Sequence, residues 1–141
     1  MTDIFDKIIA GEIPSYKVYE DDDVVAFLDI SQVTPGHTLV VPKQEVSDIF
    51  DYTDDIAQRT LLKLPKIAKA IKSSDDSIVG MNIVSNNGAA AGQTVPHSHW
   101  HLIPRYADDG LGETLAPTID NSSNYDNDKY QTIADSIQTQ F

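Results

Sequence analysis

The chain has 141 residues and no cysteine, with 22 acidic and 10 basic residues giving a formal net charge of −12. That length suits one domain over residues 1–141 with a real core, and the lack of cysteine excludes a disulfide framework and thiolate metal ligands. The acidic balance disfavours nucleic acid and anionic membranes as partners, since both are gripped by Lys and Arg. A small anionic ligand then needs a discrete pocket with its own donors.

No apolar run approaches the roughly 20 residues that cross a bilayer. The opening Met1-Thr-Asp-Ile-Phe-Asp carries acid where a secretory signal carries base, so a cytoplasmic protein is expected. Ile4 to Ala10 is a short amphipathic helix stopped by Gly11 and Pro14. Tyr16–Glu20 and Val24–Ile30 read as strands joined by the charged turn Asp21-Asp22-Asp23, and Asp29 sits at the end of the second. Thr34-Pro35-Gly36 is turn chemistry, and His37–Val41 is a third strand closed by Pro42.

Between Ser47 and Lys72, Ile56, Leu64, Ile67, Ala68 and Ile71 recur at helical spacing, with Pro65 set to kink or break the helix. Val79–Ser85 reads as a strand and Asn86–Gln93 as a Gly/Ala loop. Residues 106–124 form an irregular acidic loop, and Tyr125–Phe141 a terminal helix. Hairpin-like strands with two or three helices imply an α+β domain with an antiparallel sheet.

Three of the four histidines fall at alternate positions in His97-Ser98-His99-Trp100-His101, followed by Leu102-Ile103-Pro104-Arg105. On a strand ending at Pro104, the three rings share one face and Ser98, Trp100 and Leu102 the other. Such a face is compatible with a strand that merely bears histidines, with a metal site of three imidazoles, or with nucleophilic catalysis at phosphorus. The neighbouring Gly88-Ala-Ala-Ala-Gly92, with Gln93 and Thr94, favours the last. Small residues let backbone N–H groups approach an anion closely.

These residues resemble the histidine triad (HIT) family, whose signature is His-x-His-x-His followed by apolar residues. The resemblance spans about residues 3–106. It includes Asp3-Ile-Phe-Asp-Lys-Ile-Ile-Ala-Gly-Glu-Ile-Pro14, Phe27-Leu-Asp29-Ile30, Thr34-Pro-Gly-His37-Thr-Leu-Val-Val-Pro-Lys43, and Ala91-Gly-Gln93-Thr94-Val95. The opening segment is similar to that of the small Hint-like bacterial branch.

The resemblance implies a five-stranded antiparallel sheet with a long helix and short terminal helices, paired into a two-fold homodimer. It implies cleavage at the α-phosphate of a purine nucleotide or nucleotide conjugate, phosphoramidate or dinucleoside polyphosphate, without a cofactor. His99 is then the nucleophile, forming a nucleotidyl-histidine. His101 and His37 contact phosphate, and His97 is structural. Asp29 holds the ribose; Ile8, Phe27, Ile30 and Leu39 wall the base. Asn86, Gly92, Gln93, Thr94 and Val95 form the phosphate loop. Attack requires a neutral imidazole whose second nitrogen is fixed by an acceptor, for which a backbone carbonyl of a neighbouring triad residue is suitable.

Many bacterial relatives carry a structural zinc where this chain has Asp3, Asp6, Glu45 and His97. Three carboxylates replace softer ligands, so tight zinc is not expected. The carboxylates either pair with His97 or hold a harder cation such as Mg²⁺ or Ca²⁺. A nucleotide-binding adaptor with little turnover and a metal-dependent hydrolase are the competing functions.

Overall fold

The computed structural model describes residues 3–113 and 118–141. Its centre is a five-stranded antiparallel sheet in the order β1-β2-β3-β5-β4, built from β1 (Lys17–Glu20), β2 (Val24–Leu28), β3 (Thr38–Pro42), β4 (Ile78–Val84) and β5 (Trp100–Tyr106).

Every residue of β2 and of β3 is buried. Their unbroken apolar runs follow from cover on both sheet faces, where alternation is no longer required. On one face Val24, Ala26, Val40 and Leu102 pack against Ile67 and Ile71 of α3 (Lys63–Ser73) and Ala134 and Ile137 of α4 (Asn127–Gln138). On the other face Val25, Phe27, Leu39 and Val41 pack against Phe5 and Ile8 of α1 (Ile4–Ile9). The second face carries the site.

The expected helix from Ser47 to Lys72 is instead a short 3₁₀ turn (Ile49–Asp51), α2 (Asp54–Leu61) and α3, with the break at Leu62. Pro65 has no N–H to give the carbonyl of Leu61, and its ring would clash with that carbonyl, so the first helix cannot run on. The long helix is thereby halved. Thr53 starts α2, its hydroxyl accepting the N–H of Ile56.

The histidine strand also shifts. β5 begins at Trp100 and continues through Pro104 to Tyr106, so His97, Ser98 and His99 precede it. The β3 partner extends only over Trp100–Leu102, leaving Pro104 paired with Met81 of β4 alone. A proline is tolerated where one flank of a strand lacks a partner. Of the acidic loop 106–124, the described part is irregular apart from a 3₁₀ turn at Ser122–Asn124; residues 114–117 lie outside the described residues. Among the described residues no helix is long and apolar enough to cross a membrane.

Candidate active site

β3 and β5 bring two histidines together. Thr38 to Leu102 and Leu39 to His101 are register partners, which places His37, one residue before β3, beside His101. His37 is wholly buried. Its Nδ1 accepts the backbone N–H of Val33 at 3.2 Å, and its Nε2 lies 2.9 Å from Nδ1 of His101.

This hydrogen-bond geometry assigns the tautomers. A ring nitrogen that accepts an amide proton carries a lone pair, so neutral His37 holds its proton on Nε2 and donates it to His101. His101 then presents Nε2–H as its free donor. His99 has the opposite tautomer: its Nδ1 donates to the carbonyl of His97 at 2.8 Å, leaving a lone pair on Nε2. Adjacent rings thus offer a nucleophile and a donor, with centroids 5.3 Å apart.

Burial is the main cause that pushes the pKa of His37, His99 and His101 below the ordinary histidine value. For His37 and His101 the Asp29 carboxylate opposes that shift. For His99 the hydrogen bond to the His97 carbonyl opposes it first. His101, further depressed by His37 and His99, falls to about 4. All three shifts favour the neutral rings.

Asp29 has a double task. Its Oδ1 accepts the N–H of Ser31 at 2.8 Å, the expected capping role of an aspartate at a turn. Its Oδ2 stands 3.6 Å from His37 Nε2 and 3.8 Å from His101 Nδ1.

His99 and His101 open into a cleft of about 550 Å³. Ile8, Phe27, Ile30, Leu39 and Val95 form apolar wall; Asp29, Asn86, Gly92 and Thr94 are its polar members. The apolar and polar residues of this cleft match a flat heterocycle joined to a polar, anionic group. Gly92 has φ 94°, a backbone conformation that favours glycine, and it lies against the side chain of Asn86.

Three of the expected site residues, Gln93, His37 and His97, do not line this cleft. Gln93 spends its amide on the loop, accepting the N–H of Gly88 at 2.8 Å and donating to the carbonyls of Ser47 at 2.6 Å and Val95 at 3.0 Å. It holds the loop's shape and is not free to meet an anion. His37 lies behind His101 and reaches the cleft only through that ring.

Ile4, Phe5, Ser31 and Thr118 line the cleft and were not singled out in the sequence. Phe5 lies three residues from Ile8 on the buried side of α1, and its ring stacks edge-on against His99 with centroids 5.0 Å apart. Helical spacing from Ile8 points to it. Thr118 follows an aperiodic stretch that gives no such signal.

His97 faces away from the cleft. Its Nε2 meets the carbonyl of Pro42 at 2.9 Å, and its Nδ1 meets Asp3 Oδ2 at 3.3 Å and Asp6 Oδ1 at 3.4 Å. The same two aspartates form the reciprocal cap that starts α1. Glu45 is exposed and does not join the cluster. Two carboxylates and one imidazole do not fit the closed four-ligand N/S set of structural zinc. They fit a role as partners of His97, whose ring is bracketed by the Pro42 carbonyl on one side and the two carboxylates on the other.

Asp29, His37 and His101 also gather three potential ligand atoms. Neutral His37 has its proton, not a lone pair, on the nitrogen that faces the other two, which suits a hydrogen-bond chain rather than a metal.

Comparison with known proteins agrees with this geometry. The family model of the HIT domain matches residues 10–108. Protein hit of Bacillus subtilis is 50% identical over 135 residues, 95% of this chain and 90% of that protein. The adenosine 5'-monophosphoramidase HNT1 of Candida albicans is 38% identical over 105 residues, 72% of this chain and 69% of that protein. The crystal structure of a HIT-like protein from Bartonella henselae superposes with a TM-score of 0.85 at 38% identity, covering 99% of this chain and 96% of that one. The fold and the histidine motif define a protein of the HIT class. The chain belongs to the HIT family.

Proposed function

We propose that this protein cleaves purine nucleotide conjugates at the α-phosphate through a nucleotidyl-histidine on His99. The observation that carries this reading is a pair of ring contacts at one cleft, His99 Nδ1 to the His97 carbonyl at 2.8 Å and His37 Nε2 to His101 Nδ1 at 2.9 Å, from which a lone pair on His99 Nε2 and a donor on His101 Nε2 follow.

The base lies among Ile8, Phe27, Ile30 and Leu39, and Asp29 accepts the ribose hydroxyls. The phosphate rests against His101 and the loop carrying Asn86, Gly92, Thr94 and Val95. The Nε2 lone pair of His99 attacks phosphorus, and the opposite P–N or P–O bond breaks with its electron pair on the departing group, which takes up a proton from solvent. The ring becomes cationic, and its Nδ1–H already points at the His97 carbonyl that stabilises this charge. Water then attacks the phosphorus and releases a proton to solvent, the N–P bond breaks with its electron pair returning to Nε2, and neutral His99 is restored. His101 donates to a non-bridging oxygen throughout, held in that tautomer by His37 and Val33. No step needs a metal ion, and the site is held in line by geometry, which supplies much of the acceleration.

The kinship with an adenosine 5'-monophosphoramidase supports a phosphoramidate substrate. Turnover of adenosine 5'-phosphoramidate and of a dinucleoside polyphosphate, compared directly, ranks the two classes. His99→Ala abolishes hydrolysis of the better one, by about 10³-fold or more, and keeps AMP binding within a few-fold. Hydrolysis that survives this change assigns the nucleophile elsewhere. Activity that is lost with chelator favours the metal-dependent reading, and AMP binding without turnover in the unaltered protein favours the adaptor.

The working unit we propose is a two-fold homodimer of one domain spanning 1–141, acting in the cytoplasm. β4 is an edge strand, and its Val79 and Ile83 are 64% and 51% exposed. An open edge with apolar side chains is a template for pairing with a second strand. A chain without cysteine has no need of an oxidising compartment.

A further inference from the structure

We propose that Gln32 is a positioning residue for this reaction, its buried amide holding His37 in register with His101; the proposal rests on the function argued above. Gln32 is wholly buried, and every polar atom of its side chain is used within one loop. Nε2 donates to the carbonyls of Asp29 and His37, each at 2.7 Å, and Oε1 accepts the N–H of Gly36 at 2.8 Å. The amide therefore bridges the two ends of the Asp29–His37 loop, whose first residue faces the histidine pair and whose last residue belongs to it.

The backbone shows that the side chain, not the turn, selects glutamine here. Gln32 has φ 38°, the one non-glycine residue with positive φ among the described residues. Glycine or asparagine is the residue that such a conformation favours. A long amide placed there against the local preference means that its three hydrogen bonds outweigh the strain. The rest of the loop is clamped to match. Asn121 donates its N–H to the Ser31 carbonyl at 2.8 Å and its amide to the Gln32 carbonyl at 3.0 Å. The Tyr130 hydroxyl donates to the Ile30 carbonyl at 2.6 Å.

The consequence runs through hydrogen-bond geometry. The His37 carbonyl, fixed by Gln32 and by the N–H of Asp29, sets where the His37 ring stands between Val33 and His101. That placement gives His37 its Nε2–H tautomer and, through it, leaves the His101 donor pointing at the cleft. Asp29 Oδ1 is held separately by Ser31, so nucleotide grip depends less on Gln32 than catalysis does.

Two variants test this in the full-length protein. Gln32→Gly relieves the backbone and deletes the amide; Gln32→Met keeps the volume and deletes the hydrogen bonds. Each is assayed with adenosine 5'-phosphoramidate for kcat, with AMP for Kd, and by long-range ¹H–¹⁵N spectra of the histidine rings for tautomer. The expected result is a loss of about ten- to a hundred-fold in kcat, with Kd for AMP within about three-fold. The His37 ring changes from one tautomer to a mixture. The proposal is overturned by a folded variant with unaltered kcat and ring spectra, by weakened AMP binding with full kcat, or by loss of folding in both variants, which would make Gln32 merely structural. The ring spectra judge Gln32 even if the unaltered protein turns nothing over, an outcome that sinks the functional reading instead.

Discussion

A single proton position distinguishes the histidines of this site. His97, His99 and His101 are chemically identical in the sequence, yet each meets a different partner: two carboxylates, a carbonyl, and another ring. The division of labour follows from those partners. The alternating pattern was legible at once, and so was the need for an acceptor behind the proposed nucleophile, a place where the His97 carbonyl stands 2.8 Å from His99 Nδ1. The role of Gln93 was not, because a side-chain amide bonds equally well to an anion or to its own loop. Neutral rings give a pH prediction with a definite sign. The proposed attack uses neutral His99, and burial lowers the pKa of His99 and His101, so protons displace that form only on the acid side. kcat/KM for adenosine 5'-phosphoramidate should hold level through neutral pH and fall only below about pH 6.5. A profile that already declines on going from pH 8 to pH 7 would mean a cationic ring is not excluded by burial as described.

Elements explain why the site is where it is. β3 delivers His37 and Leu39, β5 delivers His101, and α1 lays Phe5 and Ile8 over the same sheet face. Periodicity located the strands within a few residues because apolar runs between turn residues are a strong signal. It misplaced two boundaries for physical reasons. The histidine segment bends at His97, whose N–H meets the carbonyl of Val95 at 2.8 Å, and its sheet pairing begins only at Trp100; pairing depends on the neighbour rather than on the segment. The long helix divides because Pro65 acts on the carbonyl four residues earlier, which moves the break upstream of the proline itself. The turn before β3 is the least forgiving joint. Gly36 has φ 96°, and a Cβ there would lie 3.1 Å from Pro104 Cγ in β5. Gly36→Ala therefore carries both backbone strain and overpacking, and should cost about 2–4 kcal/mol of stability in urea unfolding. A cost near zero would show that β3 and β5 are less rigidly apposed.

At the scale of the molecule, the acidic charge and the anionic ligand proposed for it are reconciled by enclosure. The donor proposed for the phosphate is a neutral imidazole at an enclosed cleft, so the net charge of −12 acts mainly on encounter and is screened by salt. That charge also restrains self-association, so the pairing proposed at β4 must rest on its apolar side chains. Sedimentation velocity should find a dimer for the unaltered protein and a monomer for Ile83→Lys, which puts a cation on the open edge. A monomer in both would remove β4 as an interface. The cleft's far wall illustrates the limit of sequence reading. Thr118 reaches the cleft from an irregular segment, and aperiodic chain carries no pattern that predicts its path.

The claim on which the rest depends is that the middle imidazole becomes covalently attached to nucleotide. Rapid acid-free quenching of the protein with adenosine 5'-phosphoramidate, followed by intact-mass and peptide analysis, measures this directly. The account predicts an adenylyl adduct on His99 within the first turnover and none in His99→Ala. An adduct on another residue, or hydrolysis that persists in His99→Ala, would contradict it.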